Sequence, residues 1–195
     1  MAERDTYFAR LVSLAVHDLR TPLATVHGFA RTLLRMGGDA EQTVRYLEMI
    51  DAASLQLTEL LEDLGLAARI EGGRWDPNLQ EEELAQLAAA AFAEIDAGEV
   101  EVSGRGEVVR VDRDAVVRAL YNLARCALRH GGIQRVTAAV DGRSVTLAPV
   151  APDVAPIVLG EDLRDLGAAV AVRVVEAHGG SVEAAGEALV VRLPA

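Results

Sequence analysis

His17-Asp18-Leu19-Arg20-Thr21-Pro22-Leu23 places a histidine, an acid, a threonine and a proline inside a stretch otherwise patterned as amphipathic helix. Positions four apart share a helical face, so His17 and Thr21 stand one above the other with Asp18 beside the ring. Pro22 offers no N–H to the carbonyl of Asp18 and clashes with it, which predicts a bend just past the histidine. A proline in a helix interior costs about 3 kcal/mol. Keeping it here points to a use for the bend and for a freed carbonyl next to His17, and Pro22 is assigned that structural role. A lone helical histidine is ordinarily a solvated side chain; the combination is a layout for phosphoryl chemistry on an imidazole. Asp18 would bond one ring N–H and leave the other nitrogen as nucleophile, while Thr21 would orient water or phosphoryl oxygens.

Working outward, the apolar positions Leu11, Ala15, Leu19, Pro22, Val26, Phe29 and Leu33 step by threes and fours, the seam of a helix packed in a bundle. Gly37-Gly38 is the predicted stop, and Asp39 can cap a second helix with the seam Val44, Leu47, Ile50, Ser54, Leu57, Leu61, Leu64 and Ala68, ending before Gly72-Gly73. Two such helices cannot bury both apolar faces alone. Pairing two hairpins into a four-helix bundle solves this, so a homodimer through residues 4 to 70 is expected.

Beyond Asn78 the elements shorten and mix. Leu79 to Ile95 is predicted helical, Glu99 to Ser103 and Val108 to Val111 alternate like strands, and Asp112 to His130 is again helical. Arg135 to Val140 and Ser144 to Leu147 flank Asp141-Gly142, a hairpin signal. Leu163 to Ala177 reads as a helix closed by His178-Gly179-Gly180, and Ser181 to Ala185 pairs with Ala188 to Leu193. His130 and His178 follow helix ends, where they are expected to act as caps. The fold class is therefore α+β: a helical hairpin over residues 1–72, then an α/β sandwich over 73–195 with helices on one face of a mixed sheet.

Composition narrows the function. A net charge of −11 argues against a nucleic-acid surface. No apolar run approaches the roughly 20 residues that cross a bilayer, and Met1-Ala2-Glu3-Arg4-Asp5 is too charged for a signal sequence, so a cytoplasmic location without membrane insertion is expected. Cys126 is the single cysteine, which excludes an internal disulfide. Every basic side chain apart from histidine is arginine, which excludes lysine chemistry.

The heptapeptide resembles the H-box of sensor histidine kinases, His-Glu/Asp-x-x-Thr/Asn-Pro-Leu, with Leu14, Val16, Leu19 and Leu23 around it. Asp112-Arg113-Asp114 with Val117 to Leu123 is similar to the approach to that family's N-box, and Val174-Val175-Glu176-Ala177-His178-Gly179-Gly180 to the end of its last helix. The resemblance implies a dimerisation and histidine-phosphotransfer domain followed by an ATP-binding (Bergerat-type) domain. Departures crowd the nucleotide motifs. The family's N-box, Asn-x-x-x-Asn-Ala, uses its second asparagine to hold magnesium; here the sequence is Asn122-Leu123-Ala124-Arg125-Cys126-Ala127, and a thiol is a poor ligand for that hard ion. Asp153-Val154-Ala155-Pro156-Ile157 stands nearest to Asp-x-Gly-x-Gly and lacks both glycines. The phosphate loop is reduced to Arg164-Asp165-Leu166-Gly167-Ala168-Ala169, where Asp165 competes with phosphate at a helix N-terminus, and the family's long lid is shortened to the span between Pro152 and Asp165.

These readings imply a histidine phosphotransferase that neither binds ATP nor carries a metal. His17 takes a phosphoryl group from one response-regulator receiver and passes it to another, the receiver supplying Mg2+. By family resemblance, receiver docking is expected at Arg20, Val26, His27, Ala30 and Arg31. The alternatives are a pseudokinase regulator that binds a receiver or kinase, a receiver phosphatase, and the fragment of an active sensor kinase.

Overall fold

The computed structural model describes residues 2–35, 39–93, 95 and 99–195, with side chains from Thr6 onward. The chain forms two compact units, Met1–Leu66 and Ala67–Ala195.

The first unit holds α1 (Ala2–Arg35) and most of α2 (Ala40–Glu71). Leu11, Ala15 and Pro22 are buried along α1, as the seam requires. Helix assignment continues through Pro22. The predicted stop at Gly37-Gly38 lies outside the described residues. Asp39 caps α2 as expected: its Oδ1 accepts from the Glu41 N–H at 3.4 Å and its carbonyl from the Thr43 N–H at 3.1 Å. Phe29 of α1 stacks on Tyr46 of α2 with ring centroids 5.2 Å apart. The α2 seam divides along its length: Ile50, Leu57, Leu64 and Ala68 are half-buried, whereas Val44, Leu47, Ser54 and Leu61 are exposed. Val16, Leu23 and Leu34 of α1 are exposed as well.

The unit boundary falls within the last turns of α2, ahead of the expected Gly72-Gly73. Ala67 and Ile70 are buried, and Glu71 is tied to Arg173 within the second unit. The second unit continues as β1 (Leu79–Glu83), α3 (Leu84–Phe92), β2 (Val100–Gly106), β3 (Val108–Asp112), α4 (Arg113–Gly131), β4 (Val136–Gly142), β5 (Ser144–Ala148), α5 (Ala155–Val158), α6 (Leu166–Ala177), β6 (Ser181–Ala185) and β7 (Ala188–Arg192). Among the described residues, five strands form a mixed sheet in the order β2-β4-β5-β7-β6, parallel only between β2 and β4. One face is covered, as the alternation in β4 shows: Val136, Ala138 and Val140 are buried, Thr137, Ala139 and Asp141 exposed. Gly104 of β2, at φ +94°, is the residue its register demands, because a Cβ there would fall on the Val140 carbonyl oxygen of β4.

The prediction of helix from Leu79 to Ile95 is corrected. Leu79–Glu83 pairs antiparallel with β3 as a separate two-stranded sheet, and α3 starts only at Leu84. The glutamates of Glu81-Glu82-Glu83 favour helix locally, but the β3 edge needs a partner for its backbone groups, and that pairing prevails.

Candidate functional site

His17 projects from the middle of α1 with its side chain 77% exposed. Its Nδ1 lies 3.1 Å from Oδ1 of Asp18, whose side chain is 26% exposed. An ionised carboxylate only accepts, so Nδ1 is the nitrogen that carries the hydrogen and Nε2 is left with its lone pair. Thr21 is exposed one turn on. The Asp18 carbonyl has lost its usual donor at Pro22, which is buried and fixes this stretch of backbone.

At roughly 100° per residue, Arg20, His27 and Arg31 fall within roughly 80° of His17 around α1. All three are exposed. They make one basic and imidazole-bearing stripe running C-terminal from the histidine. Val26 and Ala30 lie on the other side of the helix, roughly 140° or more from His17 by the same count, and both are half-buried. The structure therefore groups three of the five expected docking residues with the histidine and sets two apart, because Val26 belongs to the seam.

Residues 9–73 match the family described as the His Kinase A (phospho-acceptor) domain. The chain is 36% identical over 70 residues to the probable sensor histidine kinase TcrY of Mycobacterium tuberculosis, covering 36% of this chain and 15% of that one. The likeness in fold extends further. The Acinetobacter baumannii histidine kinase AdeS superposes with a TM-score of 0.64 at 18% identity, covering 91% of this chain and 96% of that one. Residues 9–73 are thus a His Kinase A (phospho-acceptor) domain, and the chain as a whole has a histidine kinase-like fold. A structure described as a bacterial phosphotransferase is similar at a TM-score of 0.50 and 16% identity, with 95% and 94% of the two chains covered. The chain spans between 15% and 33% of the length of the curated relatives it matches.

In the α/β unit, the segments whose sequence departs from the nucleotide motifs they resemble are engaged within the chain itself. Asp165 is the N-cap of α6: Oδ1 accepts from the Ala168 N–H at 3.0 Å, and Oδ2 from Arg129 Nη1 at 3.2 Å. The helix N-terminus already holds an anion belonging to the chain itself. Asn122 packs so closely on Gly167 that a Cβ there would lie 2.9 Å from the amide carbon. Cys126 is fully buried, and burial against Asp165 pushes its thiol pKa far up, so it stays protonated. Asp153 is exposed, and between Pro152 and Asp165 the residues Val154, Ala155, Ile157 and Val158 belong to the core.

A hub forms around Asp112. Its Oδ1 accepts from the Ala115 N–H at 3.1 Å to cap α4, its Oδ2 accepts from the Asn78 N–H at 2.9 Å, and its own N–H donates to Nε2 of His178 at 3.0 Å. Nδ1 of His178 donates to the Val174 carbonyl at 2.8 Å, and Trp75 meets the ring edge-on at 4.9 Å. His178 is thus a cap, as expected, but a neutral one: burial lowers its pKa despite the Val174 bond and the Asp112 charge, both of which raise it. His130 is not a cap. It lies inside the last turn of α4 and faces Asp165.

The sign of the His178 shift gives a pH prediction. Its folded pKa lies below the unfolded value of about 6.5, so its contribution is complete above that value and is lost as pH falls through it toward the folded pKa. Urea midpoints between pH 7.5 and 5 should fall with acidification, and His178→Asn should flatten that fall. Equal slopes for the two proteins would count against the neutral hub.

Proposed function

We propose that this chain is a histidine phosphotransferase of a phosphorelay, working as a homodimer and drawing phosphoryl groups from receiver domains instead of ATP. The observation that carries the reading is the contrast between two sites in one chain. His17 is exposed with Nδ1 anchored on Asp18, whereas the N-terminus of α6 is closed by the chain's own Asp165.

In the proposed step, the Nε2 lone pair of His17 attacks the phosphorus of a receiver phospho-aspartate. The N–P bond forms as the P–O bond to the aspartyl carboxylate breaks, and the electron pair leaves with that carboxylate. Asp18 accepts from Nδ1–H throughout and offsets the positive charge that develops on the ring. Transfer to a second receiver is the same step reversed. The receiver's Mg2+ and acidic pocket supply charge neutralisation, and this chain supplies the nucleophile and its orientation. Arg20, His27 and Arg31 fit an acidic receiver surface beside the active site. The exposed stripe Val44, Leu47 and Leu61 supports pairing of two hairpins.

The sensor-kinase reading draws on TcrY, whose description names a sensor histidine kinase. Two measurements on the full chain separate the readings. With a phosphorylated receiver, label should appear on this chain and move on to a second receiver. With ATP and magnesium, calorimetry should show no micromolar binding and no self-labelling. ATP-dependent labelling would restore the kinase, and absence of label from any receiver would leave a scaffold.

A further inference from the structure

We propose that Cys126, His130 and Asp165 form a binding site for a divalent ion of the borderline class, zinc above all, separate from the His17 hairpin. It runs against the expectation of a metal-free chain. Cys126 and His130 stand one turn apart on α4, and Asp165 meets them from the start of α6. One ligand atom from each lies within 4.8 Å of the others.

Geometry and chemistry agree on the class of ion. Nε2 of His130 is 3.3 Å from Oδ2 of Asp165. A tetrahedral ion holding a nitrogen and an oxygen at about 2.0–2.1 Å sets those two atoms about 3.3–3.4 Å apart. Thiolate, imidazole and carboxylate together suit zinc and its neighbours, while magnesium rejects the sulfur. Support for the ligands is already built: Asp165 is buried and its Oδ1 is fixed by the Ala168 N–H, which turns Oδ2 toward His130. Three protein ligands leave a fourth position for water.

Two features oppose a cation here. Arg129 donates to the same Oδ2 at 3.2 Å, and the amide end of α6 is positive. The Arg129 side chain is 55% exposed, so its guanidinium can swing into solvent when the ion takes its place. A thiolate and a carboxylate then neutralise the divalent charge. Loading balances without redox chemistry: the S–H bond of Cys126 breaks, the sulfur pair binds the ion, and the proton leaves to solvent. The consequence is a clamp between the end of α4 and the start of α6, at the helix turn where the resemblance places a magnesium-holding asparagine.

The test uses the full chain stripped with a chelator and titrated with Co2+ as a spectroscopic stand-in for zinc. A near-ultraviolet thiolate-to-cobalt band should grow to about one equivalent with release of about one proton per ion, vanish on adding Zn2+, and fail to appear with Mg2+. Cys126→Ala should abolish the band. His130→Gln and Asp165→Asn should weaken Co2+ affinity by about tenfold or more, and Asn keeps the α6 cap. Far-ultraviolet circular dichroism establishes that each variant is folded; if Cys126→Ala is not, the other two decide. No charge-transfer band at millimolar Co2+, or a band of undiminished affinity in both His130→Gln and Asp165→Asn, overturns the proposal, the second outcome marking adventitious thiol binding.

Discussion

Replacing His17 by alanine is expected to cut label uptake from a phosphorylated receiver by more than about a thousandfold, the scale on which removing a nucleophile disables a catalytic unit. Stability should stay within about 0.5 kcal/mol of the parent, because the imidazole is 77% exposed and its side-chain partner is the adjacent Asp18. Asp18→Asn should be milder. The amide can still meet Nδ1, but it no longer compensates charge on the ring, so transfer should slow by roughly tenfold to a hundredfold. The two variants are measured by label on the chain over time, alongside label remaining on the receiver. If the receiver loses phosphate equally fast with His17→Ala, the chain acts as a phosphatase aid through other groups and the relay reading falls. If label uptake survives in His17→Ala, the acceptor is a different side chain.

The hairpin was legible because its signals are local and redundant. Leu11, Ala15 and Pro22 repeat at helical spacing and are buried, and Asp39 precedes α2 as a cap with its carboxylate on the Glu41 N–H. The sheet was legible for the same reason wherever strands alternate, as in β4, and the turn at Gly142 closes the β4-β5 hairpin at φ +55°. Leu79–Glu83 was misread because its strand state depends on β3, some thirty residues on, and no local pattern carries that information. Of the five residues expected to dock a receiver, Arg20, His27 and Arg31 share the His17 side of α1. Val26 and Ala30 are near His17 in sequence but turned from it around α1, which a list of neighbours hides and helical geometry reveals.

The sites in the α/β unit were harder to read for a further reason. Asp165 was visible as an anion at a helix start, and the structure adds that it faces His130, thirty-five residues earlier in the chain. Spacing within α4 did hold a signal, since Cys126 and His130 are four apart and share a face. His178 shows the converse. Its place after α6 suggested a cation on the helix dipole, yet both ring nitrogens are committed to backbone groups, one donating and one accepting, and only the neutral ring satisfies both. Burial then selects the protonation state that the hydrogen bonds require.

Arg173→Ala should destabilise the second unit by about 3–5 kcal/mol, the cost of removing one partner from a buried ion pair. The Glu71 side chain is 5% exposed, and its Oε1 accepts from Arg173 Nε at 2.7 Å and Nη2 at 2.6 Å. Arg173 Nη1 also reaches Glu176 Oε2 at 2.7 Å. Burial alone would lower the Arg173 pKa, but its bonds to Glu71 and the nearby Glu176 raise it, so the guanidinium is held charged. Alanine removes that cation and leaves the Glu71 carboxylate in a place it cannot easily hydrate. Against a total stability of about 5–15 kcal/mol this is a large share. The paired replacement Arg173→Met with Glu71→Leu should recover most of the loss, because exchanging both charges for apolar groups of similar volume is often neutral. Urea unfolding followed by Trp75, the only tryptophan, reads both variants close to the affected turn. A single variant costing less than about 1 kcal/mol would place this pair with ordinary surface bridges, and a double variant as unstable as the single would show that packing of the Arg173 stem, not the stranded charge, holds the last turn of α2.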